Sequence, residues 1–127
     1  MMPVGKGLGE YKGTFSSIRM CEINGDQQIA EGSYTAKLSG ELSGTAVGTM
    51  TFSGSNERGT MTDLGVGYLD SGDVTSYKAH GVYWASSQGN WETRQAVVMG
   101  DQTLVVEGQI TMSDGVFSLN GTVSELT

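Results

Sequence analysis

Large apolar residues recur at every second position through much of this chain, the period of a half-buried strand, and short turn signals break the runs apart. Asn24-Gly25, Gln88-Gly89, Gly100-Asp101 and Asp114-Gly115 read as two-residue hairpin centres, where positive φ favours Gly, Asn and Asp. Ser43-Gly44-Thr45 reads as a three-residue loop with Gly44 in the left-handed position. Pairing outward from such centres is demanding, because a one-residue slip turns every following side chain to the other face. Asn24-Gly25 sets Phe15 opposite Tyr34, Gly13 opposite Ala36 and Tyr11 opposite Leu38. The loop at 43–45 sets Leu38 opposite Met50 and Ala36 opposite Phe52. Gln88-Gly89 sets Trp84 opposite Thr93 and His80 opposite Val97. The last two turns set Val97 opposite Leu104, Trp91 opposite Ile110 and Ile110 opposite Leu119.

These registers gather the bulky residues on one face, with Trp84, Val106, Ile110, Leu119 and Val123 expected to be buried together. Eight strands follow, at about 9–23, 26–42, 46–53, 60–70, 74–86, 91–99, 102–112 and 116–126. Strands in meander order close on themselves and so lose both exposed edges. The expected fold is therefore all-β: a single eight-stranded antiparallel up-and-down barrel. A two-sheet β-sandwich is the alternative, disfavoured because sandwiches need longer crossings than hairpins.

Composition narrows this further. With 20 glycines and 1 proline in 127 residues, the chain suits one domain of short, continuously paired strands. That domain is expected to span 1–127, with residues 1–8 as a flexible lead-in. A net charge of -7 with scattered basic residues argues against a nucleic-acid partner. Cys21 stands alone and can form no intrachain disulfide. One His, one Cys and no loop-spaced acidic set give no basis for a metal site, and Gly5-Lys6-Gly7-Leu8-Gly9 lacks the ending of a phosphate loop, so no cofactor is expected. The N-terminal residues lack the apolar run of a signal peptide and no segment has membrane-spanning length, so no membrane association and a cytoplasmic location are the expectation.

The order of hairpins resembles the calycin group of small barrels, which includes lipocalins, fatty-acid-binding proteins and allene oxide cyclase-like barrels. Gly13-Thr14-Phe15 in the first strand is similar to their Gly-x-Trp signature, with Phe in place of Trp. The resemblance is architectural and implies a ligand cavity inside the barrel; it carries over no catalytic motif, and fold alone does not name a ligand.

Candidate chemistry follows from the same registers. Lys78 and His80 are expected on the inner face of the fifth strand, with Gln95 on the next strand and Tyr68 nearby, as the polar end of an apolar pocket. Trp84, Thr93, Gly108 and Gly121 form a row across four strands, and the two glycines leave a hollow that either the indole or a ligand fills. Arg19 is expected inward at the opposite end. The outer wall, by the same reading, brings together Tyr77, Ala79, Tyr83, Ala96, Val98 and Val105, with Arg94 across from Glu107, as a twofold dimer surface. Three functions compete: binding of a small apolar or aromatic ligand in the interior; a cyclase or isomerase using His80 or Tyr68 as proton carrier; and a dimeric interaction module with a filled core.

Overall fold

The computed structural model describes residues 4–126. Eight strands occupy this span: β1 Val4–Asn24, β2 Gln27–Gly40, β3 Gly44–Gly54, β4 Arg58–Leu69, β5 Val74–Ser87, β6 Asn90–Met99, β7 Gln102–Ser113 and β8 Val116–Leu126. Each pairs antiparallel with its successor, and β8 pairs back onto β1 (Gly9 with Val123, Tyr11 with Gly121), so the meander closes into a barrel and the sandwich is excluded. Residues 4–8 of the expected lead-in belong to β1, where Leu8 is buried; residues 1–3 lie outside the described residues. Among the described residues no helix is long and apolar enough to cross a membrane.

The hairpins at the C-terminal end follow the turn chemistry. Asp114 and Gly115 both take positive φ, at 54° and 76°, as a type I′ centre requires. Ile110 faces Leu119, Val106 faces Val123, Val97 faces Leu104 and Trp91 faces Ile110, all as expected.

Bulges decide the rest. At the first hairpin the turn residues are Gly25-Asp26, one position later than the sequence suggests, and two register shifts in β1 absorb the difference. Phe15 therefore still faces Tyr34 and Tyr11 still faces Leu38. The shift at Ser16 inverts the distal part of β1, so Ile18 and Met20 turn inward while Arg19 turns outward into an ion pair with Glu31 at 2.8 Å. The expected inward Arg19 is thus corrected. Between β2 and β3 the turn falls at 41–43, and Leu38 faces Gly44 where Met50 was expected. That displacement is an even number of residues, so the faces are unchanged.

The β5–β6 hairpin has the opposite outcome. Ser87 faces Asn90, so Gln88-Gly89 is the turn centre as expected, but an extra residue between Ala85 and Ser87 shifts all that follows by one. Trp84 consequently faces Glu92, and the whole of β5 inverts. Tyr77, Ala79, Gly81 and Tyr83 point inward; Lys78, His80, Val82 and Trp84 point to solvent. Trp84 lies on the other side of the sheet from Ile110, contrary to the expected shared burial, while Val106, Leu119 and Val123 do share the core face. The inversion keeps the Lys78 ammonium out of an apolar interior, where a lone charge is very costly.

Inversion also dissolves the outer surface drawn from the sequence. Ala79 and Tyr83 belong to the core, Tyr77 packs against it, and Val105 is buried; only Val98 of the six is freely exposed, with Ala96 half-buried. Arg94 does face Glu107, 3.7 Å apart, as expected. Because Trp84 is an outer-wall residue, Trp84→Ser is expected to change stability by no more than about 0.5–1 kcal/mol. Thermal unfolding checks this, and a loss of several kcal/mol would contradict the outward placement.

Glycines inside the wall make room for rings. The hollow at Gly108 and Gly121 is filled, by Tyr11 from the neighbouring β1; a Cβ at Gly108 would collide with its hydroxyl. In the same way Tyr34 lies over Gly48, Tyr77 over Gly65 and Tyr83 over Gly59. The hydroxyl ends of these rings sit against bare backbone, which is how a barrel with small residues on many inward positions still fills its middle.

Candidate functional site

The inner face of β4 carries Met61, Asp63, Gly65 and Gly67, and the parity of the strand leaves Asp63 no route to solvent. It is 5% exposed, between Met50 of β3 and Ala79 of β5. Tyr34, reaching over Gly48 from β2, donates its hydroxyl to Asp63 Oδ1 at 2.7 Å. Tyr77, reaching over Gly65 from β5, shares a short hydrogen bond with the Tyr34 oxygen. With the Tyr34 proton committed to Asp63, Tyr77 is the donor in that second bond, giving a relay from Tyr77 to Tyr34 to Asp63.

Burial pushes the Asp63 carboxyl up to about 7, the Tyr34 hydrogen bond pulling weakly the other way. Burial likewise holds both tyrosine hydroxyls well above their usual range, with the Asp63 charge adding to the effect. Both donors and the acceptor are thus set by desolvation, with no cation among the described residues lining the site to favour the ionised carboxylate.

Gln95 of β6 supplies a fourth polar group. It is 1% exposed, and its Oε1 has no hydrogen-bond partner among the described residues. Gln95, Asp63, Tyr34 and Tyr77 line one cavity of about 80 Å³, whose far end is apolar: Leu38, Leu42, Leu69 and Met99. A single water needs roughly 10–15 Å³ on this measure, so the space holds several heavy atoms. A second cavity of about 170 Å³ opens at the other end of the barrel. It is lined by Phe15, Ile18, Met20, Phe52 and a stacked Trp91–Phe117 pair, with no charged residue. Met61 and Thr93, both buried, line neither cavity and lie between them along their strands. The interior is therefore filled at its waist and hollow at both ends, and the first hollow contains the buried carboxyl.

Of the residues expected from the sequence to form the pocket, Gln95 alone faces inward. Tyr68, Lys78, His80 and Trp84 are on the outer wall and exposed, the last three because of the β5 bulge. Tyr68 follows the parity of β4, which turns Thr62, Leu64 and Tyr68 outward together. Asp63, Tyr34 and Tyr77 form a site that the turn registers do not mark. The β3–β4 connection at 55–57 contains no two-residue turn centre, and the more apolar side of β4, Leu64-x-Val66-x-Tyr68, is the side that faces out. One signal was available: glycines alternating after Asp63 at 65 and 67 mark a face crowded by rings from elsewhere.

No protein-family model, no curated protein and no solved structure matches the chain.

Proposed function

We propose that this barrel binds a small molecule with an apolar body and one polar end, held in the cavity between Asp63 and the Leu38–Met99 end. The observation that carries the reading is Gln95 Oε1: a fully buried acceptor with no partner, facing a hollow that also contains a buried carboxyl. An unsatisfied buried polar group costs about 1–3 kcal/mol, and a ligand hydrogen bond offsets that cost. Apolar walls with a few convergent polar groups are the usual make-up of a small-ligand site.

The test is Gln95→Leu, which keeps the side-chain bulk and removes the orphaned acceptor. The empty protein is expected to gain about 1–2 kcal/mol in thermal unfolding while losing affinity for small polar-ended ligands by tenfold or more. Native mass spectrometry of the purified parent should report a retained small mass or uptake from a panel of small alcohols, amines and amides. A panel that neither binds nor shifts the melting temperature, in parent and variant alike, removes the reading.

A second reading, proton transfer on the bound molecule, is favoured by one feature: an acid whose carboxyl titrates near neutrality sits at the head of a tyrosine relay. It assigns to Asp63 the role expected of His80 or Tyr68. Consumption of the ligand with a pH dependence centred near 7, abolished by Asp63→Asn, distinguishes it from binding alone.

A further inference from the structure

We propose that the ligand's polar end is a protonated amine, a small alkylammonium whose N–H groups are donated to the Asp63 carboxylate and Gln95 Oε1. The inference rests on the binding reading above and adds the chemical class of the ligand.

The Tyr34 proton is committed to Asp63 and the Tyr77 proton to Tyr34. Tyr11, the remaining tyrosine on the cavity wall, lies over Gly108 and Gly121. The acceptors left over on the wall are the Asp63 carboxylate and Gln95 Oε1. A guest satisfying both must donate at least two hydrogen bonds, which an ammonium does and an ether, ketone or carboxylate does not.

Charge points the same way. Among the described residues, the titratable groups lining the cavity are Asp63 from β4, Tyr11 from β1, Tyr34 from β2 and Tyr77 from β5; β3, β6, β7 and β8 contribute none, and no Lys, Arg or His lines it. Asp63 is thus a buried carboxylate without a counter-cation, an arrangement that is costly until a cation arrives. An anionic guest would be repelled by the Asp63 carboxylate and would leave Gln95 Oε1 unpaired. Three tyrosine rings border the same space, and their faces attract an ammonium where water is excluded. The apolar end at Leu38, Leu42 and Met99 receives the hydrocarbon, and a volume of about 80 Å³ limits the guest to a few carbons.

The experiment compares isosteres: propylamine and isobutylamine against propan-1-ol and isobutanol, by calorimetry and thermal shift on the full chain at pH 8 and pH 5.5. The amines should bind at least tenfold more tightly than the matching alcohols at pH 8. That preference should fall by about tenfold for each pH unit below 7, as Asp63 takes up a proton that the ammonium must displace. Asp63→Asn should erase the preference by weakening amine binding about tenfold or more, and circular dichroism confirms that the variant keeps its barrel. Alcohols binding as well as amines, with Asp63→Asn without effect, overturns the ammonium assignment and leaves the binding reading standing. Failure of both series overturns both.

Discussion

Asp63→Asn should make the ligand-free protein more stable at neutral pH, with an effect on the order of 10 °C in melting temperature. The sign follows from linkage. Burial raises the Asp63 carboxyl from 3.8 to about 7 in the folded state, so between these values the folded chain holds a proton that the unfolded chain has released. Stability contributed by the protonated carboxyl is fully present below about 4 and is lost progressively as pH rises to about 7. Each pH unit in that window costs about 1.4 kcal/mol, so the whole loss is roughly 4 kcal/mol and is complete above 7. Asparagine keeps an acceptor for the Tyr34 hydroxyl and carries no charge, so the variant escapes the loss. The measurement is the difference in melting temperature between variant and parent across pH 4 to 8. It should be small at pH 4 and should widen to a plateau above pH 7. A constant difference, or one that shrinks as pH rises, contradicts a buried and uncompensated Asp63.

Gly108→Val should be among the most damaging single changes in the barrel, by about 3 kcal/mol or more. A Cβ at Gly108 collides with the Tyr11 hydroxyl and comes within 2.6 Å of the Asn120 carbonyl oxygen. Relief requires either Tyr11 to leave its place over Gly108 and Gly121 or β7 and β8 to separate, and overpacking of a closed wall costs about 1–3 kcal/mol even where side chains can yield. Adding a branched side chain next to backbone exceeds that. Gly67→Ala is the control, because a Cβ there meets nothing closer than 3.7 Å. Denaturant unfolding should show a large fall in midpoint for Gly108→Val and less than about 1 kcal/mol for Gly67→Ala. Equal tolerance at both positions would falsify the account of rings seated on glycine.

Both predictions concern positions on the inner wall, and the two were not equally legible. Gly108 and Gly121 could be placed in one row from the turns alone, since Gly100-Asp101 and Asp114-Gly115 connect the strands without a bulge between them. The ring that fills their hollow could not be identified, because it arrives across the β1–β8 closure, a pairing between the two ends of the chain that no turn encodes. Asp63 had no turn of defined geometry on its N-terminal side to fix its face. Its partners come from β2 and β5, 29 residues before it on one side and beyond a hairpin on the other.

Alternation of apolar residues and the chemistry of Asn, Asp and Gly turns determined, by themselves, that this chain is an antiparallel meander of eight strands. Those signals are local: a two-residue turn dictates its own φ angles and therefore the first pair of each hairpin. They also sufficed for the registers of β6, β7 and β8, where nothing interrupts the ladders, and for the inward placement of Gln95. Only the tertiary structure decided which face of β5 is inside. A single extra residue beside the turn at 88–89, inserted in a strand whose two faces are both partly apolar, exchanges Lys78, His80 and Trp84 for Tyr77, Ala79 and Tyr83. Bulges are chosen by what the closed interior can accommodate: the space over Gly65 and Gly59 accepts tyrosine rings, whereas an unpaired ammonium would lose its hydration with no partner in return. The candidate site belongs to that second category. Tyr34, Asp63, Tyr77 and Gln95 come from four different strands, and their meeting is a property of the closed barrel and of no segment within it.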